Sequence, residues 1–343
     1  MLIIVLGTRP EIIRLSVIIK KFDQFFDHTL VHTGQNYDYT LNEIFFEELE
    51  IRKPDFFLKV VGKNLGETMG NVLSKSYSLL EKIKPEALLV LGDTNSALCT
   101  ISAKRLKIPI FHMEAGNRCF DQNVPEELNR KIADHTSDIN LTYTENSRRY
   151  LLAEGFRKDH VFCVGSPLKE VLDFYSDKIN GSLILEKLQL NKEKYIVASI
   201  HREENLDIGD NFNSIIDALN KVVDLYDAQL IFSTHPRTKN KIEQLNLKVS
   251  SRISFVDPLG FCDYVFLQKN ALITLSDSGT ISEESTILGY KAVSIRTSTE
   301  RPEAIDHGNI VLGDIKTENI INSINITLTL NDRSDPPLEY LNC

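Results

Sequence analysis

Two hydrophobic rhythms alternate along the whole chain. Short apolar runs rich in Val, Ile and Leu occur at residues 2–6, 29–32, 87–91, 108–113, 139–142 and 161–164. A second series follows at 195–200, 230–233, 254–256, 271–275 and 292–295. Most are continuous rather than alternating, which is how strands covered on both faces of a parallel sheet read. Between them lie amphipathic stretches with helical spacing. Leu15, Ile18, Ile19 and Phe22 follow i, i+3, i+4, i+7, as do Phe212, Ile215, Ile216 and Leu219, with Val223 a turn further on. Strand and helix alternation predicts βα units and a doubly wound α/β fold.

The chain has 343 residues. A single core stops growing at roughly 250–300 residues, so two domains are expected. The expected boundary is Gly165-Ser166-Pro167, giving halves 1–166 and 167–343, with the more polar 177–194 stretch as a connection.

The unusual polar residues gather after the apolar runs. Gly7-Thr8-Arg9-Pro10-Glu11, Gly92-Asp93-Thr94-Asn95 and Glu114-Ala115-Gly116-Asn117-Arg118 follow runs in the first half. His201-Arg202-Glu203-Glu204-Asn205, His235-Pro236-Arg237, Asp277-Ser278-Gly279-Thr280 and Thr299-Glu300-Arg301-Pro302-Glu303 do so in the second. Ligands of open α/β sheets bind outside the carboxyl ends of strands, so these clusters from both halves are expected to share one cleft.

Each cluster admits a bland and a functional reading. Gly7-Thr8-Arg9-Pro10 is a strand-to-helix turn in which Arg9 is either solvated or aimed where an anion would bind. It lacks the GxGxxG spacing of nicotinamide and flavin sites. At Asp277–Glu284 a small-residue turn enters a helix, leaving N–H groups and the positive dipole end for a diphosphate. Glu284, one turn inside, suits ribose hydroxyls; a capping box between Ser278 and Glu283 or Glu284 is the plainer reading, and both can hold. Asp93, Glu114 and Glu126 are acid–base candidates, although an acidic residue at a helix start such as Glu126 often only complements the dipole. His201 is the candidate proton carrier of the second half. His112, His135 and His235 stay open between structural and substrate-binding roles.

Composition narrows the classes. Hydrophobic residues make up 42%, charged residues 25%, and the formal net charge is −9 with no basic run, which argues against nucleic acid as a partner. The five cysteines form no CxxC and suggest reduced thiols rather than zinc or disulfides. No apolar stretch approaches the ~18 residues that span a bilayer, so a cytoplasmic protein without membrane attachment is expected. There is no HxxxH or HExxH helix and no GxSxG elbow, which argues against a metal centre and a serine hydrolase.

Taken together, Gly7-Thr8-Arg9-Pro10-Glu11, Gly92-Asp93-Thr94, His112-Met113-Glu114-Ala115-Gly116, Pro125-Glu126-Glu127, Ser278-Gly279 with Glu283-Glu284, and Glu300-Arg301-Pro302-Glu303 resemble the non-hydrolysing UDP-N-acetylglucosamine 2-epimerase family. The resemblance runs in order from residue 1 to about 315. The stretches 114–127, 32–39 and 276–285 resemble in particular the UDP-N-acetyl-L-fucosamine synthases of capsule and O-antigen precursor synthesis.

The resemblance implies two Rossmann-like domains of the glycosyltransferase-B type, usually dimeric, with no cofactor and no metal. It implies a UDP-linked 2-acetamido sugar as partner. UDP is eliminated across C1–C2 and re-added with the C2 proton on the other face. Asp93, Glu114, Glu126 and His201 match the catalytic positions. Arg9, Arg14, Ser278, Gly279, Thr280, Glu284 and Arg301 match the diphosphate and UDP positions, and Tyr264 falls where an aromatic could lie against uracil. Arg14 stands where the family commonly has lysine, and Thr280 where a second glycine is common. Gln35-Asn36-Tyr37 departs from the Gln-His-Arg stretch used for allosteric binding in some members, so that regulation is not expected. The family's C-terminal helix, which crosses back to the first domain, is expected to be missing from a chain ending at Cys343. Rival readings are the UDP-N-acetylglucosamine epimerase itself, a glycosyltransferase of the same fold, and an inactive nucleotide-sugar sensor.

Overall fold

The structure is a computed structural model that describes residues 1–34, 43–207, 209–234, 236–245, 247–330 and 335–341. The chain forms two compact units. Unit one holds Met1–Tyr175 and the terminal segment from Leu338; unit two holds Ser176–Pro337.

Unit one is built on a parallel sheet of β1 (Leu2–Leu6), β2 (His28–His32), β3 (Phe56–Phe57), β4 (Ala87–Leu91), β5 (Ile110–Met113), β6 (Ile139–Thr142) and β7 (Val161–Cys163). Its order is β3-β2-β1-β4-β5-β6-β7. Unit two repeats the plan with β8 (Tyr195–Ser199), β9 (Gln229–Ser233), β10 (Ile253–Val256), β11 (Ile273–Ser276), β12 (Ala292–Ser294) and β13 (Val311–Leu312), in the order β10-β9-β8-β11-β12-β13. The doubly wound expectation is therefore met in both units. Each sheet reverses direction of growth once, between β1 and β4 and between β8 and β11.

The apolar runs form central strands because helices cover both faces. Ile3, Val5, Val31, Leu88, Val90 and Ile110 pack against Val72 and Leu80 of the Leu65–Ile83 helix. In unit two, Ile196, Ala198, Leu230, Phe232, Ile273 and Leu275 meet the apolar face of the Asn211–Leu225 helix and Ile320 and Ile324 of the Thr317–Thr329 helix. Two edge strands, β3 and β13, are only two residues long and carry no readable period.

Two expectations change. Residues 177–194 are no mere connection: they include the short helices Ser176–Asn180 and Ile184–Lys187. Ile184, Leu185 and Leu190 are buried with Tyr195, Val197 and Leu267 in a core of unit two. The units accordingly divide at Tyr175–Ser176 rather than at Gly165-Ser166-Pro167. Nor is a returning C-terminal element missing. The Leu338–Leu341 helix belongs to unit one, where the Glu339 carbonyl accepts the Ser166 N–H at 3.0 Å and Tyr340 is fully buried. A four-residue helix is too short to leave a periodic signal. Among the described residues, no helix is long and apolar enough to cross a membrane.

Candidate active site

The polar clusters at 7–11, 92–95, 201–205 and 277–280 lie where strand order reverses, and that at 114–118 lies one strand further on. In unit one, β1 runs into Gly7-Thr8 and the Arg9–Phe25 helix, and β4 into Gly92-Asp93-Thr94. Glu11 joins the two. Its Oε2 accepts the N–H groups of Gly7 and Thr8 at 2.6 and 2.7 Å, and its Oε1 accepts the Thr94 hydroxyl at 2.7 Å. Burial outweighs these hydrogen bonds and pushes the Glu11 carboxyl up to about 7. Arg9, the first helical residue, is half-buried, with its guanidinium 5.9 Å from the centre of the Phe45 ring.

Asp93 is gripped by Arg130. The Arg130 Nη2 and Nε lie 2.7 and 3.0 Å from its Oδ2, while Nη1 reaches Oε2 of Glu127 at 3.1 Å. Burial opposes charge on Glu127, but the Cys119 N–H and Sγ, with Arg130 and Lys131, hold its carboxyl below the usual range. Glu126 is half-buried at the start of the same Pro125–Thr136 helix. One helix thus presents a carboxylate and, one turn on, the arginine that fixes another.

Glu114 follows β5 with φ of 64°, in the left-handed region that costs a non-glycine residue energy and is found at functional sites. The conformation leans its carboxylate over the neighbouring strand end, so that a Cβ on Gly92 would lie 3.6 Å from Oε2. Asp93 and Glu114 are therefore brought together at adjacent strand ends. Arg14 is not where a diphosphate could reach it. It is buried, with Nε 3.9 Å from Glu114 Oε2, Nη1 3.4 Å from Ser166 Oγ and its guanidinium 5.4 Å from the Tyr143 ring centre. Its place in the site is behind Glu114, as a counter-charge.

In unit two, His201 follows β8 and Asp277 follows β11. Asp277 is fully buried and accepts the N–H groups of His201 and Arg202 at 2.9 Å each and the Asn205 amide at 3.0 Å. The His201 Nδ1 lies 3.0 Å from its Oδ1. Burial would raise this carboxyl, but His201 and the backbone donors bring it down to about 2. The His201 side chain itself is 37% exposed, so its ring is open to a ligand.

The Ser278-Gly279-Thr280 turn enters the Ile281–Leu288 helix as expected, with a difference. The N–H groups of Ser278 and Thr280 are taken by the hydroxyls of Ser276 and Ser278, at 3.1 and 3.3 Å. The Ser278 and Thr280 hydroxyls lie 3.0 Å apart. One hydroxyl proton serves that pair and the other can be donated to an anion, alongside the helix dipole. A Cβ on Gly279 would meet Glu300 Oε1 at 2.3 Å, so a side chain there requires Glu300 to move.

The capping-box reading fails for Glu283. That residue is buried, and its Oε2 pairs with Nη1 of buried Arg301 at 2.9 Å. Arg301 is thus braced inside the unit beneath the turn instead of standing open to UDP. Glu284 is half-buried one turn into the helix. Tyr264, on the Phe261–Lys269 helix, packs partly buried against the core around Tyr195 and Val197. His235 and Gln35, Asn36 and Tyr37 lie outside the described residues. Sequence reasoning gave no separate role to Glu11, Arg130 or Asp277. Glu11 and Asp277 stood inside flagged clusters, and Arg130 one helical turn past Glu126 and Glu127.

A family model described as UDP-N-acetylglucosamine 2-epimerase matches residues 20–340. The UDP-2,3-diacetamido-2,3-dideoxy-D-glucuronate 2-epimerase of Pseudomonas aeruginosa is 34% identical, over 94% of this chain and 91% of its own. The structure of a UDP-N-acetylglucosamine 2-epimerase from Rickettsia bellii is 47% identical, with a TM-score of 0.90, covering 96% of this chain and 88% of that one. The Methanocaldococcus jannaschii UDP-GlcNAc 2-epimerase, solved in complex with UDP-GlcNAc and UDP, is 34% identical with a TM-score of 0.93, over 98% and 95%. These likenesses agree with the two parallel-sheet units and with a fold of the glycosyltransferase-B type.

Proposed function

Since the chain belongs to the UDP-N-acetylglucosamine 2-epimerase family and is an isomerase acting at C2 of UDP-N-acetylhexosamines, we propose that it converts UDP-2-acetamido-2,6-dideoxy-L-talose into UDP-N-acetyl-L-fucosamine. The product would serve capsule or O-antigen precursor synthesis, and the enzyme would work as a homodimer in the cytoplasm.

The observation that carries the chemistry is the pair of carboxylates at adjacent strand ends, Asp93 and Glu114, each backed by a buried arginine. A proton leaves C2 to a carboxylate as the C1–O bond to UDP breaks, giving a 2-acetamidoglycal and UDP. In the return step the glycal takes UDP back at C1 and a proton on the opposite face of C2. Carboxylates held in place by arginines suit proton transfer, and their placement at two strand ends, with Glu126 on a third element, offers carriers for two faces. Arg9 and the Ser278-Gly279-Thr280 turn are assigned to the departing diphosphate. His201, Tyr264, Glu284 and Arg301 are assigned to the nucleotide end, Arg301 by bracing the turn through Glu283.

The 6-deoxy-L sugar is favoured by the loop joining Glu114 to the Pro125–Thr136 helix. It carries Phe120, 66% exposed at φ of 57° and held edge-on by Tyr150 at 5.2 Å between ring centres. An apolar side chain there suits a methyl group in place of a hydroxymethyl. The R. bellii likeness favours a second reading, UDP-N-acetylglucosamine giving UDP-N-acetylmannosamine.

Incubation with each UDP-sugar alone in D2O, followed by NMR, separates these readings. Deuterium at C2 with preference for the 6-deoxy-L-talo substrate is the expected result. Preference for the D-gluco substrate would move the assignment to the second reading. Transfer to an added acceptor without C2 exchange would overturn both.

A further inference from the structure

His112 lies in the middle of β5 and is fully buried. Each ring nitrogen meets an acceptor. Nδ1 is 2.9 Å from Oδ1 of Asp134, and Nε2 is 2.9 Å from the carbonyl oxygen of Gly92. A peptide carbonyl cannot donate. Asp134 is itself ringed by donors, the Gly116 N–H at 3.2 Å and Arg118 Nη1 at 2.7 Å, so it is held as a carboxylate. Neither partner can supply a proton to the ring. Both ring nitrogens must donate, which requires the imidazolium.

A buried imidazolium needs its charge answered from every side. Asp134 faces it from the Pro125–Thr136 helix, and Asp93 from the turn after β4. Arg118, from the loop after β5, adds positive charge. It is in turn paired with Glu154 through Nε and Nη2, both at 2.7 Å. Burial alone would lower the His112 pKa, but Asp134, the Gly92 carbonyl and Asp93 outweigh it and hold the ring above an ordinary histidine.

The consequence falls on Gly92. Its φ of 75° is open to glycine and strained for other residues, and both its polar groups are tied to β5: its N–H donates to the Met113 carbonyl at 3.0 Å and its carbonyl accepts from His112. The next residue is Asp93. We infer that His112 is a positioning residue, whose doubly protonated ring holds the Gly92 carbonyl and so fixes the direction in which Asp93 leaves β4. The inference rests on the assignment of Asp93 to proton transfer at C2.

Two measurements test it. NMR of the wild-type protein with labelled histidine reads the ring directly. His112 should keep protons on both nitrogens at a pH where an ordinary histidine, of pKa about 6.5, is mostly neutral. A singly protonated His112 at that pH would overturn the inference. The second is His112→Gln, whose amide can serve one acceptor but not both. The folded variant should lose roughly tenfold or more in kcat for C2 exchange, because a small misplacement of a reacting group is costly, with KM and UDP affinity little changed. Wild-type kcat in a folded His112→Gln protein would also overturn it. If that variant does not fold, the NMR result decides. Failure of the underlying assignment looks different: Asp93→Asn would then exchange C2 normally while His112 stayed doubly protonated.

Discussion

The His201 Nδ1 lies 3.0 Å from Asp277 Oδ1, and the same carboxylate gathers the backbone N–H groups of His201 and Arg202. The contact puts the proton of a neutral His201 on Nδ1 and leaves Nε2 to exchange protons or bind substrate. Asp277→Asn should therefore lower kcat for C2 exchange by about 10- to 100-fold. Unchanged turnover in a folded variant would show that the contact only fills the core.

Asp277 also sets an acid limit on stability. Its pKa is depressed from 3.8 to about 2, so its contribution is complete above 3.8 and lost as pH falls towards 2. The whole contribution is about 2 kcal/mol. Denaturant titrations of wild type and Asp277→Asn should show a stability difference that shrinks as pH falls through that window. A constant difference would refute the shift.

Glu11 behaves with the opposite sign. Its folded pKa is raised from 4.5 to about 7, so the native state holds a proton that the unfolded chain releases. The stability this gives is complete below 4.5 and lost as pH rises to about 7, on the order of 3 kcal/mol. Glu11→Gln is nearly isosteric and cannot ionise. Its stability relative to wild type should rise between those two pH values, as read by unfolding midpoints. A flat difference would mean that Glu11 titrates normally.

Arg301 and Glu283 are both buried and paired at 2.9 Å. Removing one partner strands the other charge, at a cost of roughly 3–5 kcal/mol. Arg301→Ala should thus lower Tm before any loss of UDP affinity is measured, and Arg301→Met combined with Glu283→Gln should recover much of it. Loss of UDP binding with an unchanged Tm would return Arg301 to direct contact with the nucleotide.

Gly279→Ala tests the turn. Its Cβ would sit 2.3 Å from Glu300 Oε1, so Glu300 must move, and with it the contacts to Arg296 Nη1 at 2.8 Å and Arg202 Nη2 at 3.9 Å. UDP affinity by calorimetry should fall by roughly tenfold or more, with the fold retained. Wild-type affinity would show that the turn does not hold the nucleotide.

The central strands were legible because each is a continuous apolar run, and the clusters that follow them were legible because parallel strands end at one edge of a sheet. The placement of Asp93, Glu114 and His201 just past strand ends was legible for the same reason. What could not be read was which polar group answers which. Arg14 and Arg301 look like anion ligands in a one-dimensional list, yet each faces a carboxylate inside its own unit, Glu114 and Glu283. Asp277 and Arg130 lie 76 and 37 residues from their partners, far beyond any helical or strand period. The short strands β3 and β13 and the Leu338–Leu341 helix were invisible for the simpler reason that fewer than five residues set no rhythm.

The return of Leu338–Leu341 to unit one has a bearing on synthesis. Domains generally fold in the order in which they leave the ribosome. Here the first to emerge cannot bury Tyr340, or satisfy the Ser166 N–H, until the whole second unit has been translated. The nascent chain must carry the amino-terminal body without its Leu338–Leu341 helix until the second unit has been made.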